Sequence, residues 1–162
     1  MPESNVEIVR RWLDASADAL NSDGGDAFAA AAERFMAPDV VYEEDPVWPD
    51  AAVYRGREAT VRRFLDYRDL VHLDHIAPAE VIDAGDTVVA RVRIEMLGGD
   101  RGGTLDFLWT YTLRLEHGRI TYFRAWYDPA EAARAAGLDP PAAQKSGAST
   151  SSMPPRGTSS RR

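Results

Sequence analysis

The chain has 162 residues, no cysteine and a formal charge of -7 at neutral pH. That length holds one domain with core enough to fold without disulfides or metals. The missing cysteines exclude thiolate nucleophiles, iron–sulfur clusters and cysteine-ligated zinc, and they fit a reducing, cytoplasmic setting.

A first helix is expected up to about Asn21. Ser4 with Glu7 three residues on makes a capping box, and Val9, Trp12, Leu13, Ser16, Ala17 and Leu20 recur at helical spacing. The run SDGGD then breaks the chain, and Asp26 is the expected N-cap of a short alanine-rich helix through Phe28, Ala32 and Phe35, stopping before Pro38. A strand from Asp39 to Glu44 ends at Pro46, and the loop to Tyr54, with Pro49 inside it, reads as irregular. A third helix follows Gly56, with Val61, Phe64 and Leu65 as its apolar positions and charged residues on its outer face.

Four extended segments come next, about Asp74 to Asp83, Thr87 to Leu97, Thr104 to Glu116 and Arg119 to Tyr127. Ala84-Gly85-Asp86, the Gly98 to Gly103 loop and His117-Gly118 join them as hairpins. In the Thr104 to Glu116 segment, Leu105, Phe107, Trp109, Tyr111, Leu113 and Leu115 alternate onto one face, which is expected to be buried. A last short helix runs from Pro129 to Ala136 and ends at Gly137. From Asp139 to Arg162 the chain is rich in Pro, Ser, Gly and Ala, with Met153 as its only large apolar residue. It is expected to be a disordered tail on a domain of residues 1–138. The order implies an α+β fold, with helices covering one side of a mainly antiparallel sheet.

Partners and compartment follow from charge and hydropathy. The tail carries four basic residues against one aspartate, which leaves -10 on the body. Such a body repels phosphate backbones, so nucleic acid is not an expected partner. No stretch approaches the roughly 20 apolar residues of a membrane span. The start, MPESNVEIVRRW, lacks the apolar run and cleavage site of a secretory signal, so a cytoplasmic protein is expected.

The element order, with VEIVRRWLDA, YEEDPVW, YRGREATVRRF, VIDAGDTVVARVRI and HGRITYFRAWYDPAEAARAAGL in sequence, resembles the SnoaL-like branch of the nuclear transport factor 2-like superfamily over residues 4–138. The resemblance implies a cone-shaped curved sheet wrapped by three to four helices, a pocket between them for a hydrophobic small molecule, and a homodimer formed through the sheet. It carries no single activity, because the superfamily spans isomerases, cyclases, hydratases, epoxide hydrolases and binders.

By the same resemblance, Glu44-Asp45-Pro46-Val47 matches the EDPV run that holds the proton-abstracting aspartate of ketosteroid isomerase. A carboxylate facing an apolar pocket, with Trp48 as part of the wall, is a weaker acid and a useful proton shuttle. The bland alternative is an Asp-Pro pair that ends a strand. The isomerase's first-helix tyrosine aligns with Trp12, and its pocket aspartic acid falls near Tyr111, a reasonable donor to an enolate, though an inward tyrosine on an apolar strand is also ordinary core. The Asp-Arg-Asp set of the epoxide hydrolases reduces to Arg91, with Arg93 and Ala125 at the acid positions, so that activity is rejected.

Arg91 and Arg93 present a conflict. The resemblance turns them toward the pocket, where they would grip a ligand oxyanion, whereas periodicity puts Val88, Ala90, Val92, Ile94 and Met96 inward. A dimer that packs the apolar face against a partner sheet would reconcile the two. Tyr54, Phe107, Trp109, Phe123 and Tyr127 complete the expected ligand-binding set. His72 and His75, three apart on an extended segment, make a poor metal pair. GGDRGG in the Gly98 to Gly103 loop opens no helix and is not a phosphate loop. No metal or cofactor is expected. Two readings stay open: a cofactor-independent acid–base isomerase or cyclase acting on a hydrophobic cyclic carbonyl compound with Asp45 and Tyr111 as catalytic residues, or a binding or dimerising module of the same fold.

Overall fold

The computed structural model describes residues 2–22, 24–71, 73–97 and 102–139. His72, most of the Gly98 to Gly103 loop and nearly all of the expected tail lie outside them.

Helix α1 spans Asn5–Asn21 and opens on the expected capping box: the Ser4 hydroxyl accepts from Glu7 N at 3.3 Å and the Glu7 carboxylate accepts from Ser4 N at 3.0 Å. Its stripe of Val9, Trp12, Leu13, Ala17 and Leu20 is buried. Helix α2, Gly25–Phe35, starts earlier than its sequence suggests, with Gly24 at the cap position and Asp26 inside the first turn, where its charge complements the helix dipole. Strand β1, Met36–Glu43, follows at once. It tolerates Pro38, which cannot donate to a ladder, because its pairing with β6 is irregular between Met36 and Val41.

The loop after β1 contains a short strand that composition alone does not reveal, β2, Val53–Arg55, paired antiparallel to β1 through Tyr42 and Tyr54. Gly56, with φ of 89°, turns the chain into helix α3, Arg57–Leu70. Strands β3 (Leu73–Asp83), β4 (Val88–Leu97), β5 (Thr104–Glu116) and β6 (Arg119–Trp126) form a meander, and α4, Pro129–Ala135, closes the described chain. The open six-stranded sheet has the order β2-β1-β6-β5-β4-β3, antiparallel throughout except that β1 runs parallel to β6.

One face of the sheet carries Tyr42, Val88, Ala90, Val92, Ile94, Trp109, Tyr111, Leu113, Phe123 and Ala125, all buried in one core with the apolar stripes of α1 and α2. Leu105, at the far end of the same alternation, is exposed. The α+β expectation therefore holds, with one refinement. Ala135 of α4 lies beside Thr112, Tyr122 and Trp126, which alternate onto the opposite face, so the last helix covers the other side.

That face also holds Arg91 and Arg93, and this corrects their expected place in the pocket. Arg91 reaches Glu80 at 3.3 Å and Arg93 reaches Asp106 at 2.8 Å. The apolar face of β4 packs against the chain's own core, so it is not available to a partner sheet. Burying Val92 and Ile94 removes apolar area from water, whereas burying two unpaired guanidinium groups would cost far more than it gained.

Candidate functional site

Between α3, the β1–β2 loop and the inner face of the sheet lies a cavity of about 920 Å³, counted out to its solvent-open mouth. Apolar walls come from Leu20, Phe64, Ile76 and Ile94, and aromatic walls from Tyr42, Trp48, Tyr67, Trp109 and Tyr111. Glu44, Asp50, Arg63 and Arg68 bring charge to it. A second, narrow apolar space adjoins it, sharing Leu20, Phe64, Ile76 and Tyr111 with the first and reaching Trp12 and Phe123.

Local structure explains how Glu44 arrives there. Val40 and Tyr42 point to the core, and the period of two along a strand carries the next inward position to Glu44, while Glu43 faces the other side. The Glu44 carboxylate is buried and accepts from Arg63 Nε at 2.6 Å and from Ala52 N at 3.3 Å. Arg63 and Tyr67 lie one turn apart on α3, and the guanidinium stands over the rings of Tyr54 and Tyr67 at 5.7 and 5.8 Å. A largely buried ion pair recovers little more than its own desolvation, so stability alone is a weak reason for placing it here.

The phenols around this pair are held in the protonated state. Burial raises the pKa of Tyr111, and the neighbouring Tyr67 and Glu44 raise it further. Burial is likewise the main cause for Tyr42 and for Tyr67, with the Glu44 charge adding to both. All three remain O–H donors at neutral pH. The indole Nε1 of Trp109 is buried with no hydrogen-bond partner among the described residues.

The expected site residues separate into five groups. Tyr111, Trp48 and Trp109 line the main cavity, and Trp12 and Phe123 line the apolar space adjoining it. Tyr54, Phe107 and Tyr127 flank the walls: Tyr54 stacks on Tyr42, Phe107 lies 5.7 Å from Trp109, and Tyr127 is mostly exposed with its ring edge toward Trp48. Arg91 and Arg93 are on the far face. Asp45 is buried but outside the lining: Oδ1 accepts from Val47 N at 3.0 Å and Oδ2 from Tyr127 N at 2.8 Å. The alternation of Val40 and Tyr42 was the signal for Glu44. Arg63 and Tyr67 were hidden because a charged residue and a phenol on a helix read as a solvated face.

Fold and cavity together define an α+β protein with, among the described residues, an open six-stranded sheet, four helices and a cavity against the sheet's inner face. The chain belongs to the SnoaL-like domain family, which matches residues 9–123. Among solved structures it is similar to a protein assigned as a SnoaL-like polyketide cyclase from Mesorhizobium loti (20% identity, TM-score 0.59, 77% of this chain and 100% of that one). It is also similar to a nuclear transport factor 2-like protein from Burkholderia thailandensis (22%, 0.60, 77% and 91%). A third likeness is to a protein of ketosteroid isomerase-like fold from Catenulispora acidiphila in complex with trimethylamine (20%, 0.55, 82% and 93%). At these identities the likeness is one of fold. No curated protein matches the sequence. Among the described residues no His, Asp and Glu group is placed to hold a metal ion, and no helix is long and apolar enough to cross a membrane.

Proposed function

We propose that the chain is a small-molecule pocket protein acting as a cofactor-independent acid–base isomerase or cyclase on a hydrophobic, cyclic carbonyl compound, with Glu44 as the carboxylate that moves the proton. The observation that carries this reading is the convergence of the buried Glu44 carboxylate, the Arg63 guanidinium and three protonated phenols on a cavity whose other walls, Asp50 and Arg68 aside, are mainly apolar and aromatic. Glu44 would take the proton from the carbon next to a carbonyl while the electron pair moves onto the carbonyl oxygen. Tyr111, Tyr67 and Arg63 would donate to that oxygen as its charge develops. Return of the proton to a different carbon gives an isomer. Attack of the same carbon on a second carbonyl, with the proton passing to the new alkoxide, gives a ring. Membership of the SnoaL-like family, and a likeness of fold to a protein assigned as a SnoaL-like polyketide cyclase, support such chemistry at the level of class.

One feature favours a non-catalytic binder: each oxygen of Glu44 already accepts a bond, from Arg63 Nε and from Ala52 N, as a carboxylate held in place for structure or binding would. A panel of cyclic enones and polyketide-like ketones, deuterated beside the carbonyl, separates the readings. The enzyme washes deuterium into solvent and Glu44→Gln slows this by ~10² or more. A binder shows thermal stabilisation by panel members, no exchange, and persistence of binding in Glu44→Gln. Exchange that survives Glu44→Gln unchanged overturns the assignment of the base.

A further inference from the structure

We infer that Asp45 is a positioning residue, a latch that pins the β1–β2 loop so that Trp48 lies flat on Trp109 as a wall of the cavity. The loop is compact on its own account: Glu44 N donates to Ala52 O, Trp48 N to Asp45 O and Ala51 N to Trp48 O, at 3.1 to 3.2 Å. Those bonds are all internal, and they leave open where the loop rests on the molecule. Glu44 ties the start of the loop to Arg63 of α3, and Asp45 supplies the attachment to the segment after β6. One oxygen closes a turn onto Val47 N, the two-residue reach typical of aspartate, and the other accepts from Tyr127 N, 82 residues away just beyond β6. The ring of Tyr127 then meets Trp48 edge-on at 6.3 Å, so a single residue holds the loop by its amide and by its side chain.

The Trp48 and Trp109 rings are 4.4 Å apart and within 3° of parallel. Trp48 is only partly buried, and its ring is held between Trp109 and Tyr127. The latch therefore sets the width of the cavity on that side. It also keeps the unpartnered Trp109 Nε1 enclosed, a donor that release of the loop would offer to a ligand. A charged oxygen bonded to a backbone amide is a strong attachment, and no other charged side chain of the loop makes this link to the segment that follows β6.

The test needs no ligand, so its outcome is independent of the proposed activity. In the full chain, the near-ultraviolet circular dichroism difference between wild type and Trp48→Phe isolates the signal of the stacked indole. Asp45→Ala is expected to lose that same signal while still melting cooperatively, and Asp45→Ala/Trp48→Phe to lose no more than Trp48→Phe alone. Hydrogen exchange at the Val47 and Tyr127 amides should quicken about tenfold in Asp45→Ala, with β5 unaffected. Asp45→Asn, which keeps one carbonyl acceptor, should restore the Trp48 signal and speed only one of the two amides. A role in general stability alone would lower the melting temperature and leave the Trp48 signal below the transition intact, and that result overturns the inference. Should Asp45→Ala fail to fold, unchanged exchange at both amides in Asp45→Asn overturns it equally.

Discussion

Glu43, Glu44 and Asp45 are three carboxylates in succession, and each has a different partner. Glu43 accepts from the Tyr122 hydroxyl at 2.6 Å and stands 3.7 Å from Arg124 on the outer face. Glu44 meets Arg63 in the cavity, and Asp45 meets two backbone amides. Burial, then the Glu43 hydrogen bond and charge, push the Tyr122 phenol up to about 12. A group whose pKa is raised by folding stabilises the fold below its unfolded pKa and loses that contribution as pH rises through the folded value. Stability should therefore decline between about pH 10 and 12, and Tyr122→Phe should flatten that part of an alkaline denaturation profile. For the inner pair, Glu44→Gln or Arg63→Met is expected to cost about 1–3 kcal/mol in urea titration, and the double substitution less than the two added together, because each single change strands a partner. Of this residue-scale picture, the EDPV run was legible as a place where a carboxylate nears the cavity, but which carboxylate lines it was not. The motif drew attention to Asp45, whereas the strand's period of two points to Glu44, and only the fold shows that Tyr127 N is close enough to occupy Asp45.

Among the elements, α1 and its neighbours were the most legible, because capping and periodicity are local. What fastens α1 to the sheet is not local. The Asn21 side chain donates to Ile76 O at 2.8 Å and accepts from Ile76 N at 2.9 Å, joining the end of the helix to edge strand β3. Asn21→Ala should cost about 1–2 kcal/mol, measured as a shift in urea midpoint without a change in slope. The His117-Gly118 turn was legible as well, and both residues have positive φ, 52° and 74°, as a two-residue hairpin of this type demands. His117→Asn is expected to stabilise by a few tenths of a kcal/mol, since asparagine tolerates that conformation better. Strand β2 escaped notice for a physical reason: three residues carry too little pattern, and their pairing is dictated by the loop that returns them to β1. Helix α3 was read as solvated outside Val61, Phe64 and Leu65. Arg63 and Tyr67 have apolar stems or rings that line a wall while their polar ends meet the cavity, a duality that hydrophobic periodicity does not register.

At the scale of the molecule, the two faces of the sheet have opposite characters, and the strand alternation described them correctly where the family resemblance did not. Val92 is 3% exposed and faces the helices. Val92→Glu should consequently abolish cooperative folding, seen by calorimetry, instead of releasing monomers from a dimer, because it buries a carboxylate without a partner. The buried hydrophobic core extends from Ile8 to Ala133, and α4 ends with Leu138 N bonded to Ala133 O at 2.9 Å. A chain truncated after Leu138 is therefore expected to keep the melting temperature of the full chain.

The parallel pairing of β1 with β6 bears on when the cavity comes into being. Tyr42 pairs with Phe123 across the sheet, and Asp45 takes its amide from Tyr127, so one wall is contributed early in the chain and its anchor late. Closing so long a loop is entropically slow, and contacts of such separation form after local hairpins. During synthesis the helices and the first strand would emerge with an unfinished hollow, and the site would be completed only as the final strand docks. A ligand that fits the finished cavity would thus report on completion of the entire fold.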